Sequence, residues 1–292
     1  NVKNEKYDQS IFHNHFLLDE NMIYAPKNLE YIMNNYHIAA LKKLPYKYFI
    51  YGFLFLKGIF VSKDISRAFD FYIESAKNNY ADSILNLAIM NYLERIPNFD
   101  ENKILSYIKP LLDQNNSNAQ FLYGLIMFYQ DKISLALEYF HQASRQNHPK
   151  ALFLLGFIYF KSDIQKGINF YEQSAQLDDE DSLYQLGCIF VNRDIDKAIH
   201  YYERAAKLNV PKALLNLGII YFENENHDYT KALHYYTLAA NQTIDQNVSL
   251  KAKYHLGTLY QIMNDFKNSI FYLTETANTK ANSVVVPLAQ TL

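Results

Sequence analysis

The residues of this chain that could carry chemistry are a few histidines and a single cysteine. His13 and His15 have the spacing of two metal ligands, but no cysteine or carboxylate cluster beside them completes a metal site. His200 and His234 could serve as general bases, and Cys188 could serve as a nucleophile if a neighbouring group lowered its pKa. The surrounding sequence supplies no such neighbour. We therefore predict no catalytic residue, no metal site and no cofactor.

The pattern around these residues instead indicates structural roles. His200 and His234 stand at the same place in a repeat, just before a pair of aromatic residues, which is typical of an exposed helix face. Cys188 lies on an apolar helix face and is predicted to be packed, not reactive. The acidic run 178–181 coincides with a predicted turn, where it would cap a helix; an acidic contact for a basic partner is the alternative interpretation.

The composition excludes several classes of partner. The net charge of −2 gives no electrostatic reason to bind nucleic acid or an anionic membrane surface. No run of about 18 uncharged apolar residues is present, so membrane insertion is not predicted. One cysteine allows no intrachain disulfide and fits a reducing compartment, which predicts a cytoplasmic location. A signal peptide that had been removed would leave no trace in this sequence.

The chain is organised by an internal repeat. The pair Leu155-Gly156 recurs 31 residues later as Leu186-Gly187, and again after the same step as Leu217-Gly218. The aromatic pair Phe170-Tyr171 recurs as Tyr201-Tyr202. A fixed period of this length is the signature of stacked supersecondary units.

Two positions mark every repeat. The first holds a small residue: Gly52, Ala88, Gly124, Gly156, Gly187, Gly218 and Gly257. The second is the later residue of the aromatic pair or its replacement: Tyr72, Ile108, Phe140, Tyr171, Tyr202, Tyr236 and Tyr272. The number of residues from a second position to the next first position is nearly constant, whereas the number from a first position to the second position of the same repeat varies. A packed turn therefore alternates with a surface loop, which predicts an all-α, superhelical solenoid of about seven helix-turn-helix repeats with atypical terminal repeats.

Helix ends are also marked. The residues Asn79, Asn115, Asn147, Asp178 and Asn209 are predicted to take the left-handed conformation that ends a helix. The residues Asp64, Asp100, Asp163, Asp194, Asp228 and Asp265 are predicted to be N-caps of the second helix in each repeat. These signals divide the chain into an N-terminal cap with a degenerate first repeat (1–46), a repeat array (47–280) and a tail or the start of a further repeat (281–292).

The repeat residues resemble the Sel-one-like repeat family, a relative of tetratricopeptide repeats. One copy reads Ala151, Leu155-Gly156, Tyr159, Asp163, Lys166, Phe170-Tyr171 and Ser174-Ala175. The sequence departs from the family in lacking the loop glycines except near Gly58, and in having several short units. The resemblance implies a tetratricopeptide-like α-solenoid that acts as a protein-interaction scaffold and not as an enzyme.

The resemblance also implies where a protein or peptide partner would bind. In tetratricopeptide-like solenoids the first helix of each repeat lines the concave face. The side chains expected there are Phe121, Leu125, Phe128, Phe153, Phe157, Phe160, Tyr184, Leu215, Ile219 and Phe222. This face is almost wholly apolar. Either its rings are core residues inside a tightened superhelix, or they form an aromatic trough for an apolar or amphipathic segment of a partner.

The specific role stays open between three hypotheses. The general one is a scaffold for a protein or peptide. A narrower one is a bacterial immunity, inhibitor or effector protein that clamps a toxin or a host protein, in line with known members of the family. The third is the non-catalytic arm of a larger enzyme or membrane complex, because the sequence starts at Asn1 and its last repeat looks unfinished. The oligomeric state is not predicted.

Overall fold

The computed structural model describes residues 47–59, 61–76, 81–94, 101–223, 227–242 and 245–278. Within these ranges the chain forms fourteen α-helices and no strand, which confirms the all-α prediction. The predicted cap (1–46), the tail (281–292) and the helix-end residues Asn79 and Asp100 lie outside the described residues.

The helices fall into two compact units that divide between His148 and Pro149. The first unit contains α1 (Lys47–Lys57), α2 (Ile65–Ala76), α3 (Ala81–Glu94), α4 (Glu101–Asp113), α5 (Ser117–Tyr129) and α6 (Ile133–Ser144). The second unit contains α7 (Pro149–Ser162), α8 (Ile164–Gln176), α9 (Glu180–Phe190), α10 (Ile195–Lys207), α11 (Pro211–Glu223), α12 (Tyr229–Ala240), α13 (Gln246–Ile262) and α14 (Phe266–Asn278). Each odd-numbered helix packs against the even-numbered helix that follows it. The described residues thus form seven helix hairpins, as the spacing predicted.

The turns between hairpins adopt the predicted left-handed backbone. The φ angles are 56° at Asn115, 56° at Asn147, 55° at Asp178 and 60° at Asn209. Asn and Asp tolerate this region because their short polar side chains bond locally, so the turn forms without glycine.

In five of the seven described hairpins the second helix begins at the predicted acidic N-cap. The carboxylate of Asp163 accepts a hydrogen bond from the backbone N–H of Lys166 at 2.9 Å, and Asp194 accepts one from Lys197 at 3.1 Å. The side chains of Asp64, Asp228 and Asp265 likewise accept a hydrogen bond from the backbone N–H group three residues later in the chain. Each cap satisfies a backbone donor that the helix cannot satisfy itself.

In five of the seven hairpins the core contains an aromatic ring that lies on a glycine backbone. At Gly156 an added methyl group would come within 2.6 Å of the Tyr171 ring. The same relation joins Gly52 to Tyr72 and Gly124 to Phe140. It recurs at Gly187 with Tyr202 and at Gly218 with Tyr236. The glycine is required because any side chain would push the ring, and with it the second helix, away.

The last hairpin corrects one part of the predicted register. Tyr272 holds the second repeat position in the sequence pattern, but the residue that faces Gly257 is Leu273. Tyr272 instead stacks on Tyr260, with ring centroids 5.8 Å apart. The aromatic pair Phe271-Tyr272 suggested the wrong position, whereas counting from the N-cap Asp265 gives the right one.

A second aromatic layer lies on the other side of each hairpin. Tyr159 stacks on Phe170 with centroids 5.5 Å apart, and the ammonium group of Lys166 lies 3.6 Å from the centroid of Tyr159. Equivalent rings and lysines recur in the next two hairpins as Phe190, Tyr201 and Lys197, then Tyr221, Tyr235 and Lys231. The lysine three residues after the N-cap thus has a cation–π contact that joins the two helices.

Replacing Gly156 with alanine should lower the free energy of unfolding by about 1–3 kcal/mol, because the new methyl group would overlap the buried Tyr171 ring. The better helix propensity of alanine offsets roughly 1 kcal/mol of this loss. Urea unfolding followed by circular dichroism measures the change.

The control is the double variant Gly156→Ala/Tyr171→Leu. Leucine already fills the equivalent place at Gly257, so the double variant should lose less stability than the sum of the two single changes. Strictly additive losses would show that the overlap with the ring is not the cause.

Candidate partner-binding face

The predicted binding residues occupy three positions in the first helix of a hairpin. Counted from the glycine of the hairpin, they stand three residues before it, one after it and four after it. We call these positions the inner face. The predicted residues come from α5, α7, α9 and α11.

Half of the predicted residues are buried. The side chains of Phe121, Leu125, Phe128, Phe153 and Leu215 are each at most 7% exposed. Phe121 packs on Phe140, and Phe153 packs on Tyr171 with centroids 5.5 Å apart. The ring three residues before the glycine therefore contacts the same aromatic residue that covers the glycine. These five side chains belong to the core.

The other half is partly accessible. These residues are Phe157 and Phe160 on α7, Tyr184 on α9, and Ile219 and Phe222 on α11. All five lie in the second unit, on three successive first helices. We call this set the accessible inner face. Phe160 packs on the core ring of Tyr171, and Tyr184 packs on the core ring of Tyr202. These contacts hold the two accessible rings in place.

A small polar cluster adjoins the accessible inner face. The hydroxyl of Tyr202 donates a hydrogen bond to the thiol sulfur of Cys188 at 3.3 Å and accepts one from the amide nitrogen of Asn216 at 3.0 Å. Burial, with a smaller effect of Cys188, raises the pKa of the Tyr184 hydroxyl above its ordinary value. The tyrosine hydroxyls are therefore neutral hydrogen-bonding groups and not bases.

Sequence reasoning missed the role of Asn216. It stands two residues before Gly218, and its partner Tyr202 belongs to the preceding hairpin, so its hydrogen bond ties two hairpins together. The signal was present in the sequence, because Gln185 and His255 are polar residues at the same repeat position. Cys188 is half-buried and hydrogen-bonded, in agreement with the prediction that it packs.

His255 contacts the preceding hairpin through its ring. It stacks on Tyr236 with centroids 5.1 Å apart and an interplanar angle of 7°. Among the described residues the buried hydroxyl of Tyr236 has no hydrogen-bond partner. Burial, and secondarily the nearby charge of Lys251, lowers the pKa of His255 from its ordinary value of 6.5. The stacked imidazole is therefore neutral near pH 7.

Three of the four residues of the acidic run 178–181 form ion pairs within the second unit. Asp179 is buried, and its carboxylate accepts the backbone N–H of Ser182 at 2.9 Å, which confirms the capping interpretation for this residue. The Nζ atom of Lys150 lies 2.9 Å from the carboxylate of Asp179 and 2.7 Å from the carboxylate of Asp181. Asp178 pairs with Arg204 at 2.7 Å.

The carboxylates of this run also determine the protonation state of Lys150. Its partial burial alone would lower its pKa, but the carboxylates of Asp179 and Asp181 outweigh this effect and raise the pKa above its ordinary value. Lys150 therefore stays charged and joins α7 to the start of α9. The ion pairs hold successive hairpins together, so the run is engaged within its own unit.

The part of the chain that the structure describes holds no group of three or more His, Cys, Asp or Glu side chains arranged to bind a metal ion. His200 and His234 are exposed on second helices, as the repeat position predicted. None of the described helices has both the length and the apolarity that crossing a membrane requires.

Comparison with known families agrees with this architecture. The Sel1 repeat matches residues 48–80, 117–148 and 149–179, and a tetratricopeptide repeat matches residues 190–248. The hairpin fold and these matches define the class: the protein is an α-solenoid of tetratricopeptide-like repeats. Within that class the chain is similar to Sel1 repeat proteins over the three matched stretches. Repeats of these two families generally bind proteins or peptides and are generally non-catalytic.

Solved structures with the same fold include three bacterial proteins. A protective antigen of uropathogenic Escherichia coli with an SLR fold has a TM-score of 0.61 and 20% identity; the match covers 89% of this chain and 59% of the antigen. A Sel1 repeat protein from Oxalobacter formigenes has a TM-score of 0.56 and 21% identity, with coverage of 72% and 91%. Pseudomonas aeruginosa pilF has a TM-score of 0.54 and 16% identity, with coverage of 74% and 98%.

These likenesses establish the fold alone. The chain spans 59% of the length of the E. coli antigen. No functionally curated protein matches the sequence.

Replacing Asp179 with alanine should lower the free energy of unfolding by about 2–3 kcal/mol, since it removes a helix cap together with a buried partner of Lys150. The matched control is Asp194→Ala, which removes an N-cap whose side chain is 40% exposed and should cost about 1 kcal/mol. Equal losses in thermal unfolding would mean that the contact with Lys150 adds nothing to the cap.

His255 should make stability depend on pH. The native state binds a proton at this imidazole less readily than the unfolded chain does, so its contribution is complete above pH 6.5 and declines as the pH falls below that value. When the pH is lowered from 7.5 to 5, the melting temperature should fall less for the variant His255→Gln than for the unmodified chain. Parallel curves for the two proteins would refute this role.

Proposed function

We propose that this protein is a non-catalytic scaffold that binds a protein or peptide partner on the accessible inner face of the second unit. The observation that carries the proposal is the partial exposure of Phe157, Tyr184, Ile219 and Phe222 on three successive first helices. Their counterparts Phe121 and Leu125 in the first unit are buried.

The chemistry of the face favours an apolar or amphipathic segment. Removing a side chain of this kind fully from water contributes about 1.5–3 kcal/mol, and the rings already held by core contacts lose little further freedom on binding. Aromatic residues of this type commonly provide most of the binding energy at protein interfaces.

The polar cluster adds specificity to this picture. Cys188 and Asn216 stand among the apolar residues of the face, next to the hydroxyl groups of two tyrosines. Such groups can form hydrogen bonds with the backbone of a bound segment, which apolar rings cannot do. We therefore expect a segment with apolar side chains and an accessible backbone, bound across α9 and α11.

The test compares an accessible residue with a buried one at neighbouring positions of the same helix. Phe157→Ser should weaken the affinity for a partner, isolated by affinity capture and identified by mass spectrometry, at least about tenfold, with little change in the melting temperature. Phe153→Ser is the matched control and should lower the melting temperature strongly, because this ring packs on Tyr171.

Calorimetric titration and a circular dichroism melt measure the two quantities. If Phe157→Ser and Ile219→Ser both destabilise the fold as much as Phe153→Ser while affinity stays intact, the face is core and the proposal fails. A bound partner whose affinity responds to neither Phe157 nor Ile219 would place the binding site elsewhere.

The narrower roles remain predictions from the family resemblance. A toxin gene beside the gene of this protein would support an immunity, inhibitor or effector role, and an unrelated neighbour would weaken it. The complete open reading frame tests whether the array is the non-catalytic arm of a larger enzyme or membrane complex.

A further inference from the structure

The hydroxyl group of Tyr202 meets a polar residue of the next hairpin at a fixed place in the repeat. Tyr202 holds the second repeat position, and its hydroxyl accepts a hydrogen bond from the amide nitrogen of Asn216 at 3.0 Å. Asn216 stands 14 residues later in the chain and two residues before Gly218. We call this place, two residues before the small residue of the next repeat, the facing position.

Residue types at the second and the facing positions match in every consecutive pair of repeats. Where the second position is a tyrosine, the facing position is polar: Tyr72 with Asn86, Tyr171 with Gln185, Tyr202 with Asn216, and Tyr236 with His255. Where the second position has no hydroxyl group, the facing position is leucine: Ile108 with Leu122, and Phe140 with Leu154. At the pair that contains His255, the imidazole lies on the face of the tyrosine ring instead of at its hydroxyl.

Burial makes this match important for stability. The side chains of Tyr72 and Asn86 are both buried, and so are those of Ile108 and Leu122. Burial raises the pKa of the Tyr72 hydroxyl, and its interaction with Asn86 partly offsets this rise. A hydroxyl or amide group that is buried against an apolar side chain loses its hydrogen bonds with water and gains none in return. A mismatch at these two positions would therefore destabilise the contact between two hairpins.

We propose that the second and facing positions together determine which hairpin can pack after which. The hairpins share the same small residue and similar helix lengths, so their other contacts distinguish them poorly. A hairpin with Leu122 packed after Tyr202 would leave the tyrosine hydroxyl without this partner, and a hairpin with Asn216 packed after Ile108 would bury an amide against an apolar side chain. The matched pairs thus disfavour packing of hairpins in the wrong order. This inference does not depend on the proposed function, because no partner takes part in it.

Single variants between α10 and α11 reproduce the two kinds of mismatch. Asn216→Leu places an apolar side chain opposite the Tyr202 hydroxyl, and Tyr202→Phe removes the hydroxyl that Asn216 contacts. Each should lower the melting temperature by about 2–6 °C in a circular dichroism melt. The double variant Tyr202→Phe/Asn216→Leu restores a matched pair of the kind found at Phe140 and Leu154. It should lose at most about half of the sum of the two single losses.

The matched control is the double variant Tyr202→Phe/Gln185→Leu. It makes the same kinds of change, but Gln185 is the facing residue of Tyr171, so its two losses should add. Additive losses in Tyr202→Phe/Asn216→Leu would overturn the proposal, and so would equal recovery in both double variants.

A conservative variant separates polarity from shape at the facing position. Asn216→Gln keeps a polar residue, as at Gln185, and should retain a higher melting temperature than Asn216→Leu. If the glutamine variant is as unstable as the leucine variant, the facing position selects for shape and the proposal fails. This comparison also serves if either double variant does not fold.

Discussion

The contact between a glycine backbone and an aromatic ring sets the geometry of five of the seven hairpins. Once the Tyr171 ring lies on Gly156, the distance and rotation of the two helices are fixed, and the remaining contacts follow. The ring of Phe153 can pack on the far side of Tyr171 only because Tyr171 is held there. The stacked outer pair and its lysine then close the opposite side, and the acidic cap fixes where the second helix begins. A single small residue therefore fixes how the two helices of its hairpin pack together.

Much of this architecture could be predicted because its signals act between residues that are close together in the sequence. An N-cap aspartate and a left-handed asparagine each act within three or four residues, so spacing alone located Asp163 and Asn147. The error in the last hairpin is instructive for the same reason. An aromatic pair does not show which of its members faces the glycine. In the last hairpin the pair Phe271-Tyr272 lies one residue earlier than in the other hairpins, whereas the distance in sequence from the N-cap Asp265 to Leu273 is the same as theirs.

The candidate site was predictable in composition but not in accessibility. Helical periodicity places Phe153 and Phe157 on one face, yet one ring is buried in the core and the other is half-exposed. Their exposure depends on how neighbouring hairpins pack over each turn of the helix, which no local pattern encodes. The contact of Asn216 with Tyr202 escaped prediction because its partner lies in another hairpin.

The hydroxyl of Tyr202 has a mechanical consequence. It is hydrogen-bonded to Cys188 within its own hairpin and to Asn216 of the next, so sliding of these two hairpins past each other must stretch a partly buried hydrogen bond. The hydroxyl of Tyr236 has no such bond among the described residues, and the ring of His255 stacks on the Tyr236 ring instead. The hairpins α11–α12 and α13–α14 are joined by a hydrogen bond at their turn, where the Ser249 hydroxyl donates to the carbonyl oxygen of Ala240. Sliding is therefore opposed in the middle of the helices at the first of these junctions and at the turn in the second.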